Sequence, residues 1–352
     1  MSEAMTLFTQ ALEQLRLAVL NIPGLTELAT YPFLFRPLVM VVLLGVVAGV
    51  IGVIVNLRSA EFSAEAMVHA VFPGIVAGAV YWGIDAIIPA ASVVAVAAAL
   101  VLTIVSHRSR RGEASEAGTA VVLTSFFSIG LILSLAKGDM SGQLEALMFG
   151  RLLEVTDARL AQALIVCAVA LLLIAATWKE QVAYAFDRTG ARASGLRILA
   201  LDLVLNTAIA AAVVSASTAV GILLVIGYLV IPGATARVLA SRVRAMVVVA
   251  IAVGVGGGYL GMLLMVLPET LDKPISPQAT VALVMTGILL LAVGVSTARE
   301  RLDRIRHRPH SAQPVTVAAT STTAGAEAAA DRVGGAEGSA SGVTPVAERG
   351  RV

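Results

Sequence analysis

Apolar residues in this chain do not alternate, nor do they keep to one face of a short helix; they run in blocks about as long as a bilayer is thick. About nine blocks stand out, near 36–57, 64–82, 86–106, 118–137, 159–178, 198–216, 218–236, 245–267 and 277–298, each predicting a membrane-spanning helix. The segment 6–20 is apolar too, but Glu13 and Arg16 interrupt it, which predicts an amphipathic helix lying at the membrane interface. The expected organisation is an interfacial segment 1–32, a transmembrane domain 33–298, and a tail 299–352 that begins basic. From about Ser311 the tail is Ala, Thr, Ser, Gly and Glu, too polar to bury a core, and is expected to be disordered. The fold class is therefore all-α, a polytopic bundle.

The polar residues between the blocks set the orientation. Basic loops at His107–Arg111, Lys179–Arg197, Arg237–Arg244 and Arg299–Arg308 fall on one side if the blocks are counted in order, and that side is the cytoplasm. The C-terminus is then cytoplasmic and the N-terminus outside, with Gly83–Asp85, Lys137–Asp157 and Pro268–Ser276 facing outward. The first residues carry Glu3 and no basic run, so no cleaved signal peptide is expected.

Composition agrees with a plasma-membrane protein embedded in the lipid bilayer: 58% hydrophobic and 14% charged residues, with a mean hydropathy of +0.90. The net charge of +2 comes from arginines in short loops, so it reads as orientation and not as a nucleic-acid surface. Cys167, the one cysteine, lies within an apolar block, which excludes a disulfide framework and predicts an inert buried thiol.

The chemistry inside the blocks is sparse. Glu65 and His69 are four residues apart, which stacks a carboxylate and an imidazole on one helix face. Ionisable groups at membrane depth are costly and point to function, and mixed oxygen and nitrogen donors suit a divalent transition metal. The competing reading is that the two side chains satisfy each other. His69 is the sole histidine in a predicted span; His107, His307 and His310 sit in basic segments where solvent or headgroup contact is expected. Pro73 and Gly74 follow the pair, and Val71-Phe-Pro-Gly74 is echoed by Val230-Ile-Pro-Gly233. Breaks at Pro73-Gly74 and Pro232-Gly233 would frame a transport path, although Pro and Gly are frequent in membrane helices anyway. Asp202 and Asn206 share a face and are expected to bind neighbouring helices.

Energy coupling is not in this chain. Its three lysines, Lys137, Lys179 and Lys273, are followed by Gly, Glu and Pro, so no Walker-type phosphate loop exists. Neither a His-Glu-x-x-His helix nor a Gly-x-Ser-x-Gly elbow is present, and the chain is not expected to be an enzyme.

Taken in order, several segments resemble the zinc/manganese-type ABC permeases, the ABC-3 family, including its actinobacterial anchored-repeat variant. They are Arg58…Ser63-Ala-Glu-Ala-Met-Val-His-Ala-Val-Phe-Pro-Gly74, Ser125-Phe-Phe-Ser-Ile-Gly130, Leu147-Met-Phe-Gly150, Ala185-Phe-Asp-Arg-Thr-Gly-Ala-Arg-Ala-Ser-Gly195, Leu201-Asp-Leu203, and Val220-Gly-Ile-Leu-Leu-Val through Val230-Ile-Pro-Gly-Ala-Thr-Ala236. The resemblance covers about residues 33–298. One departure is Glu65, where the family usually carries Asp. The resemblance implies a type II-like importer permease that pairs with a second copy, with cytoplasmic ATP-binding subunits and with an extracytoplasmic metal-binding lipoprotein. Zn²⁺ or Mn²⁺ would be cargo, ATP would be bound on the partner, and no permanent cofactor is expected. A two-fold axis would bring two Glu65–His69 pairs together. Asp187, Arg188, Gly190, Ala191, Arg192 and Gly195 would form the segment that docks on the ATPase. The alternatives are a secondary transporter or channel without an ATPase, and an ABC permease for a larger chelated cargo.

Overall fold

The computed structural model describes residues 3–108, 112–136, 148–266 and 276–306, and the spans lie in the unit Met1–Asp303. Among the described residues every regular element is helical. An opening helix α1 (Glu3–Val19) and a short α2 (Thr26–Thr30) lead into α3 (Pro32–Leu57). The second apolar block is split into α4 (Glu61–Ala70), α5 (Phe72–Ala77) and a π-helical turn, Gly78–Trp82. Next come α6 (Ile87–Arg108), α7 (Gly112–Leu135), α8 (Asp157–Ala176), α9 (Trp178–Phe186) and α10 (Arg188–Ala193). The chain continues through α11 (Ile198–Ser217), α12 (Ile222–Leu239), α13 (Val243–Val266) and α14 (Pro277–Arg306).

Eight of the described stretches are long and apolar enough to cross a membrane, and Leu224–Leu239 is a shorter apolar helix in the place of the seventh predicted span. The chain is a multi-pass membrane protein. That seventh helix begins at Ile222 and not near 218, because the backbone of Gly221 (φ 86°) meets that of Phe149 and Gly150 too closely for any Cβ. The last helix runs unbroken from Pro277 to Arg306, and the tail beyond it is outside the described residues, as are most of the expected outward loops 137–157 and 268–276.

Helix α3 is apolar all round and therefore central: 72% of its most apolar stretch is buried, against 22% for α7 and α14. It packs on α13 and α12, and also on α8. Close approach comes from glycine; a Cβ on Gly45 would stand 2.6 Å from the backbone of Gly254. The outer helices turn Val121, Ile132, Leu135, Leu283, Leu290 and Leu291 outward, as lipid-facing surfaces do. Cys167 is fully buried in α8.

Helix α1 is not among the spans. Phe8, Leu12 and Val19 pack on the core, and Thr9 donates a hydrogen bond to Asp157 Oδ2 at 3.2 Å, beside the Arg36–Asp157 ion pair at 2.5 Å. Arg16 donates to the Ala29 carbonyl at 2.9 Å and to Glu13, and that hydrogen bond holds the Glu13 carboxyl below the usual carboxylate range. The two charges that mark this helix as no span thus tie it to α2.

Candidate functional site

Helix α4 starts from a three-residue corner, Arg58-Ser59-Ala60, directly after α3. Ser59 has φ 50°, the one left-handed non-glycine backbone among the described residues, and such a conformation costs about 1 kcal/mol or more unless its surroundings hold it. At 1.5 Å per residue, Glu65 lies about 6 Å and His69 about 12 Å along the span from Glu61. The Glu65 side chain is exposed and His69 is half-buried. They do not satisfy each other through the carboxylate. Instead His69 Nδ1 lies 3.0 Å from the Glu65 backbone oxygen, which can only accept, so Nδ1 is the donor there and, in a neutral ring, the lone pair falls on Nε2. The ring stands edge-on to Phe127 with centroids 5.5 Å apart, and Phe127 stacks on Phe72 at 5.1 Å. The Ser125–Gly130 segment thereby seats α7 against α4 and α5, with Gly130 lying under Phe72 and Pro73.

An exposed carboxylate at membrane depth cannot face hydrocarbon cheaply, so the face carrying Glu65 needs a protein or aqueous neighbour. Among the described residues no three His, Cys, Asp or Glu side chains gather around a metal-sized space.

The two Pro-Gly segments differ. At Pro73-Gly74 the helix is interrupted: α4 ends at Ala70, Val71 forms the joint, and α5 begins at Phe72. Gly74 then presses on α6, where a Cβ would stand 2.7 Å from Ala91 Cα. The break expected at Pro232-Gly233 does not occur, since α12 runs through Pro232 from Ile222 to Leu239. One of its carbonyls is propped from the neighbouring helix: Asn56 Nδ2 of α3 donates to the Val230 oxygen at 3.3 Å, and also to the Gly52 oxygen of its own helix at 2.9 Å. Gly233 lets α12 lie directly on Gly52 and Asn56 of α3.

The segment expected to meet the ATPase forms a short helix. Asp187 is the N-cap of α10 and accepts a hydrogen bond from the Gly190 N–H at 2.8 Å. Ala191 is buried against Tyr184, Ile198 and Leu201, while Arg188 and Arg192 are exposed. Gly195 (φ 80°) turns the chain into α11.

Behind α10 lies a cavity of about 1110 Å³, reached by Arg58, Ser63, His107, Tyr184, Arg192 and Asp202 among others. Arg58 lines it and gathers several partners. Its guanidinium pairs with Asp202, donates to Gln181 Oε1 at 2.6 Å, and lies 4.1 Å from the Tyr184 ring centroid. Gln181 in turn donates to the Leu201 carbonyl at 2.9 Å. His107 Nδ1 stands 3.5 Å from Asp202, so this histidine has a protein partner and not only solvent or headgroups around it. Asn206, one turn on from Asp202, donates to Thr103 at 2.9 Å; both residues bind neighbouring helices. The sequence offered no signal for the Arg58–Asp202 pairing, which joins residues 144 positions apart. Arg58 opened the motif that contains Glu65, but spacing gave it no role.

The chain matches the family model described as "ABC 3 transport family" over residues 30–296. It is 34% identical over 239 residues to the "Manganese transport system membrane protein MntC" of Listeria monocytogenes, covering 68% of this chain and 83% of that protein. It is 31% identical over 232 residues to the "Chelated iron transport system membrane protein YfeC" of Yersinia pestis, covering 65% and 77%. Among solved structures it is similar to PsaBC from Streptococcus pneumoniae in complex with Fab, at a TM-score of 0.65 and 25% identity over 76% of this chain and 94% of that one. A matching model across most of the chain, a curated relative at this identity and a shared helical architecture agree: this protein belongs to the ABC 3 transport family.

Proposed function

We propose that this chain is the permease subunit of an ATP-driven importer for a divalent transition metal, manganese or zinc, that works as a pair of copies. The observation that carries the reading is the exposed Glu65 carboxylate one turn before a half-buried His69 imidazole whose Nδ1 is turned to the backbone, on a membrane span broken at Val71, just before Pro73-Gly74. Two such half-sites facing one another across a two-fold axis supply two oxygen and two nitrogen donors, a set suited to these metals. The names of the manganese-transporting relatives support Mn²⁺ as cargo.

Delivery falls to an extracytoplasmic metal-binding lipoprotein, and ATP is hydrolysed on a separate cytoplasmic subunit. The exposed Arg188 and Arg192 of α10 support the Asp187–Gly195 segment as its docking point. The basic loops at His107–Arg111, Lys179–Arg197 and Arg237–Arg244 support a cytoplasmic C-terminus. His69→Ala or Glu65→Gln is expected to abolish manganese and zinc uptake by a transporter-deficient strain at unchanged membrane abundance of the chain. Uptake at the unmodified rate by either variant would refute the site.

A further inference from the structure

The cavity behind α10 is bounded on one side by the proposed docking segment and on another by the corner that launches α4. Resting on the function proposed above, the geometry points to Arg58 as the positioning residue through which the docking segment sets the place of Glu65 and His69.

Four observations meet at this side chain. Arg58 is the C-cap of α3 and precedes left-handed Ser59, so its position fixes the direction in which α4 leaves. Its side chain is 9% exposed, and its guanidinium is held by Asp202 of α11, by Gln181 of α9 and by the face of Tyr184. The Tyr184 ring is also approached by Arg188, the first residue of α10, at 5.6 Å. The same end of α3 is gripped from α12, where Arg237 donates to the Asn56 carbonyl at 2.8 Å. A path of direct contacts thus runs from Arg188 to Tyr184, to Arg58, and through a three-residue corner to the helix bearing the half-site.

The planar guanidinium suits this place, since it presents a fork of donors and a stacking face at once, which a lysine does not. A buried charge with a hydrogen-bonded partner resists being pulled free, because separating the pair leaves one charge unpaired. Tilting α10 therefore displaces the Arg58 corner more readily than it breaks the corner's bonds. Glu65 is seven positions after Arg58, so the displacement reaches the half-site within two helical turns.

The experiment uses the full chain purified with its ATP-binding subunit and reconstituted into proteoliposomes, with manganese chloride as the probe. Arg58→Gln and Asp202→Asn are each expected to lower manganese moved per ATP hydrolysed about tenfold, with the ATP-binding subunit still co-purifying and hydrolysis within about twofold of the unmodified complex. Tyr184→Phe keeps the stacking face and is expected to hold the ratio; Tyr184→Leu is expected to lower it about threefold. If the charge variants fail to reach the membrane, the two Tyr184 variants decide. Transport and hydrolysis falling in proportion, or an unmodified ratio in the folded variants, would overturn the inference alone. An unmodified complex that hydrolyses ATP yet moves neither manganese nor zinc would overturn the proposed function, and this inference with it.

Discussion

Two segments of this protein carry nearly the same four residues, Val71-Phe-Pro-Gly74 and Val230-Ile-Pro-Gly233, yet one ends a helix and the other does not. Proline removes the same donor in both, so the difference lies in what surrounds them. Around Pro232, whose missing N–H deprives the Tyr228 carbonyl of its helical donor, Asn56 reaches across from α3 to the carbonyl of Val230 in the same turn, and Gly233 lets the two helices touch along their backbones. Around Pro73 the neighbours are the rings of Phe72 and Phe127 and the Gly130 backbone, which pack well but offer no donor of that kind. A proline in a membrane helix is therefore a local weakness, and the adjacent helix decides whether it becomes a joint.

That comparison can be broken most severely at Gly233. A Cβ there would stand 2.4 Å from the Gly52 oxygen, so Gly233→Val is expected to cost about 3 kcal/mol and to lower the thermal midpoint of the detergent-solubilised chain by several degrees. An unchanged midpoint would mean that α12 and α3 are not in backbone contact. A less damaging pair of changes separates the two prolines by function. Pro73→Ala should let α4 and α5 fuse and reduce metal uptake about tenfold, worth about 1.4 kcal/mol, whereas Pro232→Ala should leave uptake within about twofold. Equal losses from both would show that the continuity of α12 is incidental. The smallest change removes the prop alone: Asn56→Ala takes away donors to Val230 and Gly52 and is expected to cost about 1 kcal/mol in thermal unfolding, and less if Pro232→Ala is already present. Full additivity would dissociate Asn56 from the proline.

The spans were legible because lipid imposes one rule on every block: about twenty apolar residues whose backbone groups bond internally. Glu65 and His69 were legible for the converse reason, as charge-bearing groups where charge is expensive. What escaped was pairing at long range. Nothing near Pro232 in sequence announces Asn56, and nothing near Arg58 announces Asp202, Gln181 or Tyr184, because each partner is supplied by a different helix. The start of α12 was missed for a similar cause, since Gly221 is fixed by its contact with Phe149 and Gly150, not by its own neighbours. The role of Ser125–Gly130 as the seat of the broken helix likewise depends on Phe72 and Pro73, more than fifty positions earlier.

Cys167, fully enclosed in α8, turns the natural protein into a nearly blank surface for thiol chemistry. Spin labels or fluorophores attached through cysteines introduced at Arg192 and at Ser63 would report on α10 and on α4 separately, without first rebuilding the packing around the native sulfur. The same enclosure shields the sulfur from water-borne oxidants, so peroxide would reach this thiol only after the helices around it had opened.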